Sequence, residues 1–210
     1  AAFDAVAAIY TYSETGGDIG VGDYVRRIRV LPVTSGYFDV VRVQPRLGRG
    51  FQPEEENGER FVVLSDRLWR ERFGGDRAAP GQSLTMNGRP YTVVGVMPSG
   101  FEDPLAGPVD AWVPLDLGPA RDPDNAENHY LSVVARLRPG TPIARAQGEL
   151  DRLNATLATR YPDANDALAR LDPLKEDVVG SADRALGLML GAVALVLVLV
   201  CVNIANLLLV

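Results

Sequence analysis

The feature that most constrains this chain is an uncharged apolar run over residues 185–210, in which only Asn203 and Asn206 are strongly polar. About 20 apolar residues in a helix cross the hydrocarbon layer of a bilayer, and this run is long enough to do so with some tilt. A helix that is apolar on all sides otherwise belongs at the centre of a large soluble core. The sequence therefore predicts a transmembrane helix over 185–210, with a fully buried central helix as the alternative.

Small and polar residues within this run suggest that the helix has neighbours in the bilayer. Gly187 and Gly191 form a G-x-x-x-G pair, which lets another helix approach closely, although such pairs also arise by chance in apolar runs. Asn203 and Asn206 are three residues apart and share one face, where they need a partner helix or the interface. These four residues predict helix packing in a bundle of several spans.

The charge of the chain lies before residue 185 and excludes some classes of partner. There are 27 acidic and 21 basic side chains and the formal net charge is -6, which argues against a nucleic-acid partner. The one cysteine, Cys201, lies in the apolar run, so no disulfide can form within the chain. Because the chain starts at Ala1 and stops at Val210 without a charged flank, we expect a fragment of a longer membrane protein.

Short strands and helices mix without regular βαβ alternation before the apolar run, which predicts an α+β body. The clearest element is a hairpin with a type I′ turn at Asn87-Gly88. Ser65 is predicted to cap a helix that ends at Gly74. The other predicted elements are a turn at 15–18, strands at 24–33, 61–64, 109–113 and 130–137, a short helix capped by Ser35, and a connecting loop at 116–128.

A long helix is predicted from Thr141 to Tyr161, with Pro142 at its first position. Apolar side chains recur along it at steps of three and four residues, a spacing that predicts one buried face. The residues on that face are Ile143, Ala146, Leu150, Leu153, Leu157 and Tyr161.

Motifs for catalysis or cofactor binding are absent from the sequence. No P-loop precedes Lys175, no G-x-S-x-G motif occurs, and the one histidine, His129, has no second ligand for zinc. The acidic residues at 122–125 lack the glycine and the distant glutamate of a calcium loop. The acidic segment at 52–58 is predicted to be a solvated loop or the first turn of a helix. We therefore expect no enzyme activity, no metal and no cofactor on this chain.

Several short segments form a specific pattern when their order and spacing are taken together. These segments are 35–41, 47–51, 53–55, 63–65 with Trp69, Arg72, Phe73 and Gly74, 87–98, 112–115, 128–131, 134–140 and 201–209. The pattern resembles the extracytoplasmic core of MacB/FtsX-type ABC transporter permeases, from about residue 24 to the end. The ending Asn-Ile-Ala-Asn-Leu-Leu-Leu is similar to the duplicated permeases of acidobacteria and related soil bacteria.

The resemblance implies a porter-like α/β subdomain with an inserted, mostly β subdomain that resembles the sabre of these permeases. The porter-like part would comprise residues 1–35 and 127–184, the insert residues 36–126, and the first part of the membrane domain residues 185–210. Residues 1–184 would then lie on the periplasmic side of the bacterial inner membrane. The domain would transmit ATPase-driven motion to clients outside the membrane and would perform no chemistry itself.

The resemblance also implies partners: a cytoplasmic ABC ATPase that uses ATP, a second permease subunit in a homodimer or pseudo-dimer, the lipid bilayer and a periplasmic adaptor. A rival hypothesis is a membrane-anchored ligand-binding or sensor ectodomain without a transport role. That rival predicts a cytoplasmic signalling domain beyond residue 210, whereas the permease predicts further apolar spans. A membrane-bound enzyme is a third hypothesis and has the least support.

Overall fold

The computed structural model describes residues 2–10, 16–20, 25–118, 131–160, 169–174 and 189–201. The chain divides into two compact units, residues 1–169 and 170–210. In the first unit the strands are β1 (Phe3–Tyr10), β2 (Gly16–Ile19), β3 (Arg26–Val33), β4 (Leu47–Gly48), β5 (Phe61–Leu64), β6 (Ser83–Met86), β7 (Arg89–Val96), β8 (Ala111–Pro114) and β9 (Leu131–Leu137), and the helices are α1 (Tyr37–Val41), α2 (Asp66–Phe73) and α3 (Ile143–Arg160).

Six of the strands close into a ring. The order of pairing is β2, β6, β7, β5, β8 and β3, and β3 pairs with β2 to complete the circuit. The pairs β5–β7 and β3–β8 are parallel and the other four are antiparallel. Alternate residues of a closed sheet point inward, so the ring encloses a core of its own. The larger side chains of that core are Ile19, Ile28, Val30, Val62, Leu64, Leu68, Trp69, Leu84, Met86, Val93 and Val96.

A second core lies on the outer side of the same strands. On β3, Ile28 and Val30 belong to the ring interior, whereas Leu31 and Val33 belong to the second core. Strand β1 pairs antiparallel with β3 and with β9 and adds a layer beside the ring. Helix α1 contributes the buried aromatic pair Tyr37 and Phe38, and Trp112 of β8 packs edge-on against Phe38. The ring strands β3, β5, β7 and β8 therefore contribute to both cores, one on each face, whereas β2 and β6 contribute to the ring interior.

The elements with strong local signals form as predicted. The hydroxyl of Ser65 accepts a hydrogen bond from the backbone N–H of Leu68 at 3.2 Å, and α2 ends at Gly74 with φ of +59°. Asn87 and Gly88 both have positive φ, +52° and +70°, and join β6 to β7. The predicted cap of α2 and the predicted hairpin are confirmed, because both depend on residues that are adjacent in the chain.

The predicted turn at 15–18 is wrong for its described part, because residues 16–19 form β2. A Cβ atom on Gly17 would lie 2.6 Å from the sulfur of Met86, so this glycine makes room for a core side chain. The predicted cap of α1 is also wrong. The N-cap is Gly36 without a side-chain hydrogen bond, and the backbone N–H of Ser35 instead donates to Glu56.

The prediction that α3 buries its apolar face is wrong for three of its positions. Ala146 is buried and Leu150 is half-buried, but Ile143, Leu153 and Leu157 are 44%, 52% and 42% exposed. Tyr161 lies outside the described residues. Helical periodicity reports that one face is apolar and does not reveal whether anything covers it.

The body is a mixed α and β fold, as predicted. The predicted subdomain boundary at 126–127 lies outside the described residues, and the division into porter-like and inserted parts stays a prediction. Residues 189–201 are helical and exposed. Within the part of the chain that the structure describes, no helix has the length and apolar character needed to cross a membrane. The predicted span at 185–210 includes residues outside that part and stays a prediction.

Candidate functional site

Three of the four residues predicted for helix packing, Gly187, Asn203 and Asn206, lie outside the described residues. Gly191 lies within the helical segment 189–201 and is exposed, with no atom within 4 Å of a Cβ built on it. Their role in packing therefore stays a prediction.

The residues considered for metal binding, His129 and the acidic group at 122–125, also fall outside the described residues. In the described ranges no group of three or more His, Cys, Asp or Glu side chains could hold a metal ion. The first unit instead buries individual carboxylates, each held by its own donors. Those carboxylates belong to Glu55, Glu56, Asp103 and Asp110.

Asp103 ties the loop after β7 to both α1 and β8. Its Oδ2 accepts hydrogen bonds from the Tyr37 hydroxyl at 2.6 Å and the Trp112 indole N–H at 3.0 Å. Its Oδ1 accepts from the backbone N–H groups of Leu105 and Ala106, both at 3.0 Å. Burial, and then the charge of Asp103, raise the pKa of Tyr37 well above its ordinary value, so this hydroxyl remains a donor. Four donors thus satisfy one buried carboxylate.

Glu55 fixes the loop after β4 through an ion pair. Arg49 donates to its two carboxylate oxygens at 3.0 and 2.6 Å, and the backbone N–H of Gln52 donates at 2.9 Å. Burial by itself raises the pKa of the Glu55 carboxyl, but the hydrogen bonds from Arg49 and Gln52 outweigh burial and hold this pKa below its ordinary value. The carboxylate is therefore charged at neutral pH.

Glu56 and Asp110 join segments that are distant in sequence. The Glu56 carboxylate accepts a hydrogen bond at 2.7 Å from the backbone N–H of Ser35, which lies between β3 and α1. Asp110 accepts from the backbone N–H of Arg29 at 3.0 Å and forms an ion pair with Arg67 of α2. These carboxylates link loops and strand ends to the ring, and we call the set of Glu55, Glu56, Asp103 and Asp110 the carboxylate anchors.

The acidic segment at 52–58 forms a helical turn at Pro53–Glu55, in line with one of the two predicted alternatives. The other alternative, a solvated loop, is wrong for Glu55 and Glu56, which are 6% and 9% exposed. A signal for Glu55 was present in the sequence. Gln52 and Glu55 are spaced as the two ends of a capping box, and the structure forms that box around a 3₁₀ turn at Pro53–Glu55. No comparable local signal marks Glu56, because its partner Ser35 lies 21 residues away.

Two glycines in the segments that carry the resemblance permit close backbone contact between β4 and β7. A Cβ atom on Gly48 would lie 2.1 Å from the carbonyl oxygen of Val94, and its φ is +70°. A Cβ atom on Gly95 would lie 2.4 Å from the carbonyl oxygen of Arg49. The Leu-Gly-Arg-Gly-Phe segment at 47–51 is therefore shaped by packing.

A polar cleft of about 520 Å³ opens between β1 and α1. Its polar side chains already contact one another: Arg42 forms an ion pair with Asp4 at 3.3 Å, and the Gln44 side-chain amide donates a hydrogen bond to Asp39 at 2.7 Å. Both the ion pair and the hydrogen bond from the Gln44 side chain are exposed to solvent. In this cleft, and at the carboxylate anchors, the contacts hold segments together and show no paired nucleophile and base.

Among the residues of the first unit that the structure describes, most of the large exposed apolar side chains lie on α3 and on the β1–β9 layer. Val133 of β9 is 68% exposed and Val6 of β1 is 52% exposed, in addition to Leu153 and its neighbours on α3. This surface was missed from the sequence, because the α3 positions were predicted to be buried.

Comparison with known proteins decides the family. A family model described as the MacB-like periplasmic core domain matches residues 1–153. The chain belongs to this family. The resemblance inferred from the sequence motifs is therefore confirmed at the level of the MacB-like periplasmic core, while the similarity to acidobacterial permeases stays a prediction.

Two curated relatives are ATP-binding/permease proteins. The macrolide export ATP-binding/permease protein MacB of Chromobacterium violaceum is 26% identical over 182 residues, covering 86% of this chain and 27% of the relative. The relative named "Probable syringafactin export ATP-binding/permease protein SyfD", of Pseudomonas syringae pv. tomato, is 25% identical over 181 residues, covering 85% of this chain and 26% of the relative. This MacB-like chain thus spans about a quarter of the length of these relatives.

Solved structures show the same fold. The periplasmic region of MacB from Actinobacillus actinomycetemcomitans aligns with a TM-score of 0.54 and 17% identity, covering 75% of this chain and 68% of that one. The extracellular domain of the noncanonic ABC-type transporter YknZ from Gram-positive bacteria aligns with a TM-score of 0.52 and 18% identity, covering 75% of this chain and 78% of that one. This chain thus has the fold of the periplasmic region of that MacB and of the extracellular domain of YknZ.

Proposed function

We propose that this MacB-like core transmits ATPase-driven movement within an ABC-type export permease and is itself non-catalytic. The observation that carries the proposal is the match of residues 1–153 to the MacB-like periplasmic core family. The two curated relatives are named for macrolide and syringafactin export, and both combine ATP-binding and permease functions. The ATP would be used by a cytoplasmic ATPase domain or subunit and not by this chain.

The internal construction of the core supports a mechanical role. A part that transmits movement needs rigid loops, and the carboxylate anchors tie the loops of this domain to other segments through hydrogen bonds and ion pairs. Asp103 alone receives four donors, from α1, β8 and its own loop. Buried carboxylates elsewhere often serve catalysis, but these accept hydrogen bonds from backbone N–H groups and from arginine and aromatic side chains.

We propose α3 as the element that passes movement toward the apolar run at 185–210. This helix comes last among the elements of the first unit, and its face at Leu153 and Leu157 is apolar and exposed. The apolar run would be a packing helix in the bilayer, through Gly187, Gly191, Asn203 and Asn206. The other proposed partners are a second permease subunit and a periplasmic adaptor, with the core on the periplasmic side of the inner membrane.

Two aspartate substitutions in the complete membrane protein test this proposal. Leu68→Asp places an unpaired carboxylate at a fully buried position of the ring core, a change that costs several kcal/mol, about enough to unfold a marginal domain. We expect ATPase-coupled export to be lost with the fold. Export that continues at the wild-type rate while limited proteolysis shows the core unfolded would refute the mechanical role.

Leu153→Asp tests the proposed role of α3 without unfolding the core, because this side chain is 52% exposed. Ala155→Asp is the matched control, since Ala155 is exposed on the opposite side of the same helix. We expect Leu153→Asp to reduce export severalfold at normal protein levels and Ala155→Asp to leave it unchanged. Equal export by both variants would remove α3 from the pathway.

A further inference from the structure

The ring is closed at one place by a very short contact. Among the described residues, β2 pairs with β6 at a single register position, Ile19 opposite Met86. By comparison, β2–β3, β3–β8, β5–β7 and β6–β7 each have four register pairs. The β5–β8 junction has two pairs and is extended by a hydrogen bond from the Ser65 N–H to the Asp110 carbonyl at 2.8 Å.

Asn87 completes this short junction with two hydrogen bonds to Asp18. Its backbone N–H donates to the Asp18 carbonyl at 2.9 Å, and its side-chain oxygen accepts from the Asp18 backbone N–H at 2.7 Å. Asp18 and Asn87 stand opposite each other, one position beyond Ile19 and Met86. In a regular antiparallel ladder two backbone carbonyls would fill these roles. Here Asn87 lies in the turn, and its side chain replaces one carbonyl. We call Asp18, Ile19, Met86 and Asn87 the seam.

The two sides of the seam differ in their access to water. Ile19 and Met86 are buried in the ring core, at 0% and 2% exposure, whereas Asp18 and Asn87 are exposed. A pair of hydrogen bonds that water can reach competes with hydration and contributes only modestly to stability. Opening the seam would uncover the end of the core beside Ile19 and leave the four-pair junctions intact.

We infer that the ring opens locally at this seam, and that Asn87 is the latch that holds it closed. Local opening in proteins occurs where few contacts must be broken at once, and the seam has the fewest among the ring junctions that the structure describes. Use of this opening in the transmission of movement rests on the proposed function. The opening itself is a property of the fold and can be measured without it.

Amide hydrogen exchange on the full chain tests the latch. The informative probe is the backbone N–H at position 87, which donates across the seam to Asp18. The reference probe is the Val93 N–H, which donates to the Gln82 carbonyl at 2.9 Å within the ring. We expect position 87 to exchange at least about tenfold faster than Val93, corrected for intrinsic rates, because only the seam has to open.

Asn87→Gly removes the latch while keeping the turn, since glycine adopts positive φ without steric strain. We expect exchange at position 87 to accelerate about threefold to tenfold, the effect of one lost hydrogen bond, with Val93 unchanged. Gln82→Ala is the matched control, because it also removes a side-chain amide that hydrogen-bonds to backbone in an exposed turn, at 3.0 Å from the Ala78 carbonyl. This control should not change exchange at position 87.

Three results would overturn the inference. Equal protection at position 87 and Val93 in the unaltered chain would mean that the seam opens only when the whole ring unfolds. Equal acceleration of both probes by Asn87→Gly would mean that Asn87 stabilises the ring as a whole. Acceleration at position 87 by Gln82→Ala would mean that the effect is not specific to the seam. Failure of the export tests above would leave these exchange rates untouched, so the two proposals fail separately.

Discussion

Asp103→Asn is the substitution that most directly tests how the carboxylate anchors stabilise the fold. The asparagine side chain has the same shape but replaces one oxygen by an NH₂ group. With the oxygen kept toward Leu105 and Ala106, the NH₂ group faces the Tyr37 hydroxyl and the Trp112 indole. The hydroxyl can rotate and accept a hydrogen bond, but the indole can only donate.

The expected loss of stability follows from the hydrogen bonds that Asp103→Asn breaks or weakens. One buried donor without an acceptor costs about 1–3 kcal/mol, and the remaining bonds lose the strength that the charge gave them. The opposite orientation of the amide is worse, because two backbone N–H groups would then face the NH₂ group. We expect Asp103→Asn to lower the free energy of unfolding by about 2–3 kcal/mol.

Guanidinium unfolding followed by tryptophan fluorescence provides the assay, and the chain has two tryptophans. Asp39→Asn is the control, because Asp39 is exposed and accepts a single side-chain hydrogen bond, from Gln44. This control should change the free energy of unfolding by less than about 0.5 kcal/mol. If Asp103→Asn has as small an effect as Asp39→Asn, the anchor does not stabilise the fold and the reasoning is wrong.

Glu55→Gln should lower the free energy of unfolding by about 1–2 kcal/mol at pH 7, because it weakens the bonds from Arg49 and Gln52. Because the folded pKa of Glu55 is depressed, this stabilisation is complete above the unfolded pKa near 4.5 and is lost as the pH falls through the folded pKa. Urea unfolding should therefore show the stabilities of the two proteins converging as the pH falls through that range. A constant difference in stability down to pH 2 would contradict the prediction. Gly95→Ala should destabilise by about 2 kcal/mol or more, because its Cβ would lie 2.4 Å from the Arg49 carbonyl. Gly148→Ala, in α3 with open space around it, should instead stabilise by up to about 1 kcal/mol, because alanine favours helix more than glycine does. Thermal melts in which Gly95→Ala and Gly148→Ala shift the midpoint in the same direction would refute the packing argument.

The sequence by itself determined the elements whose causes are local. Asn87-Gly88 specifies its turn because both residues tolerate positive φ, and Ser65 caps α2 because its hydroxyl reaches an N–H three residues on. The segments at 47–51 and 87–98 also carried enough pattern to indicate the family, which the match to residues 1–153 confirmed.

Only the tertiary structure decided features that depend on residues far apart in the chain. Gly17 lies in a strand because Met86 fills the space beside it, 69 positions further on, and no local signal shows that. Glu56 is buried because the Ser35 N–H needs an acceptor. The exposed face of α3 has the same sequence pattern as a buried one. Local sequence sets backbone preference and the polarity of a face, whereas burial depends on what the rest of the chain brings to that face.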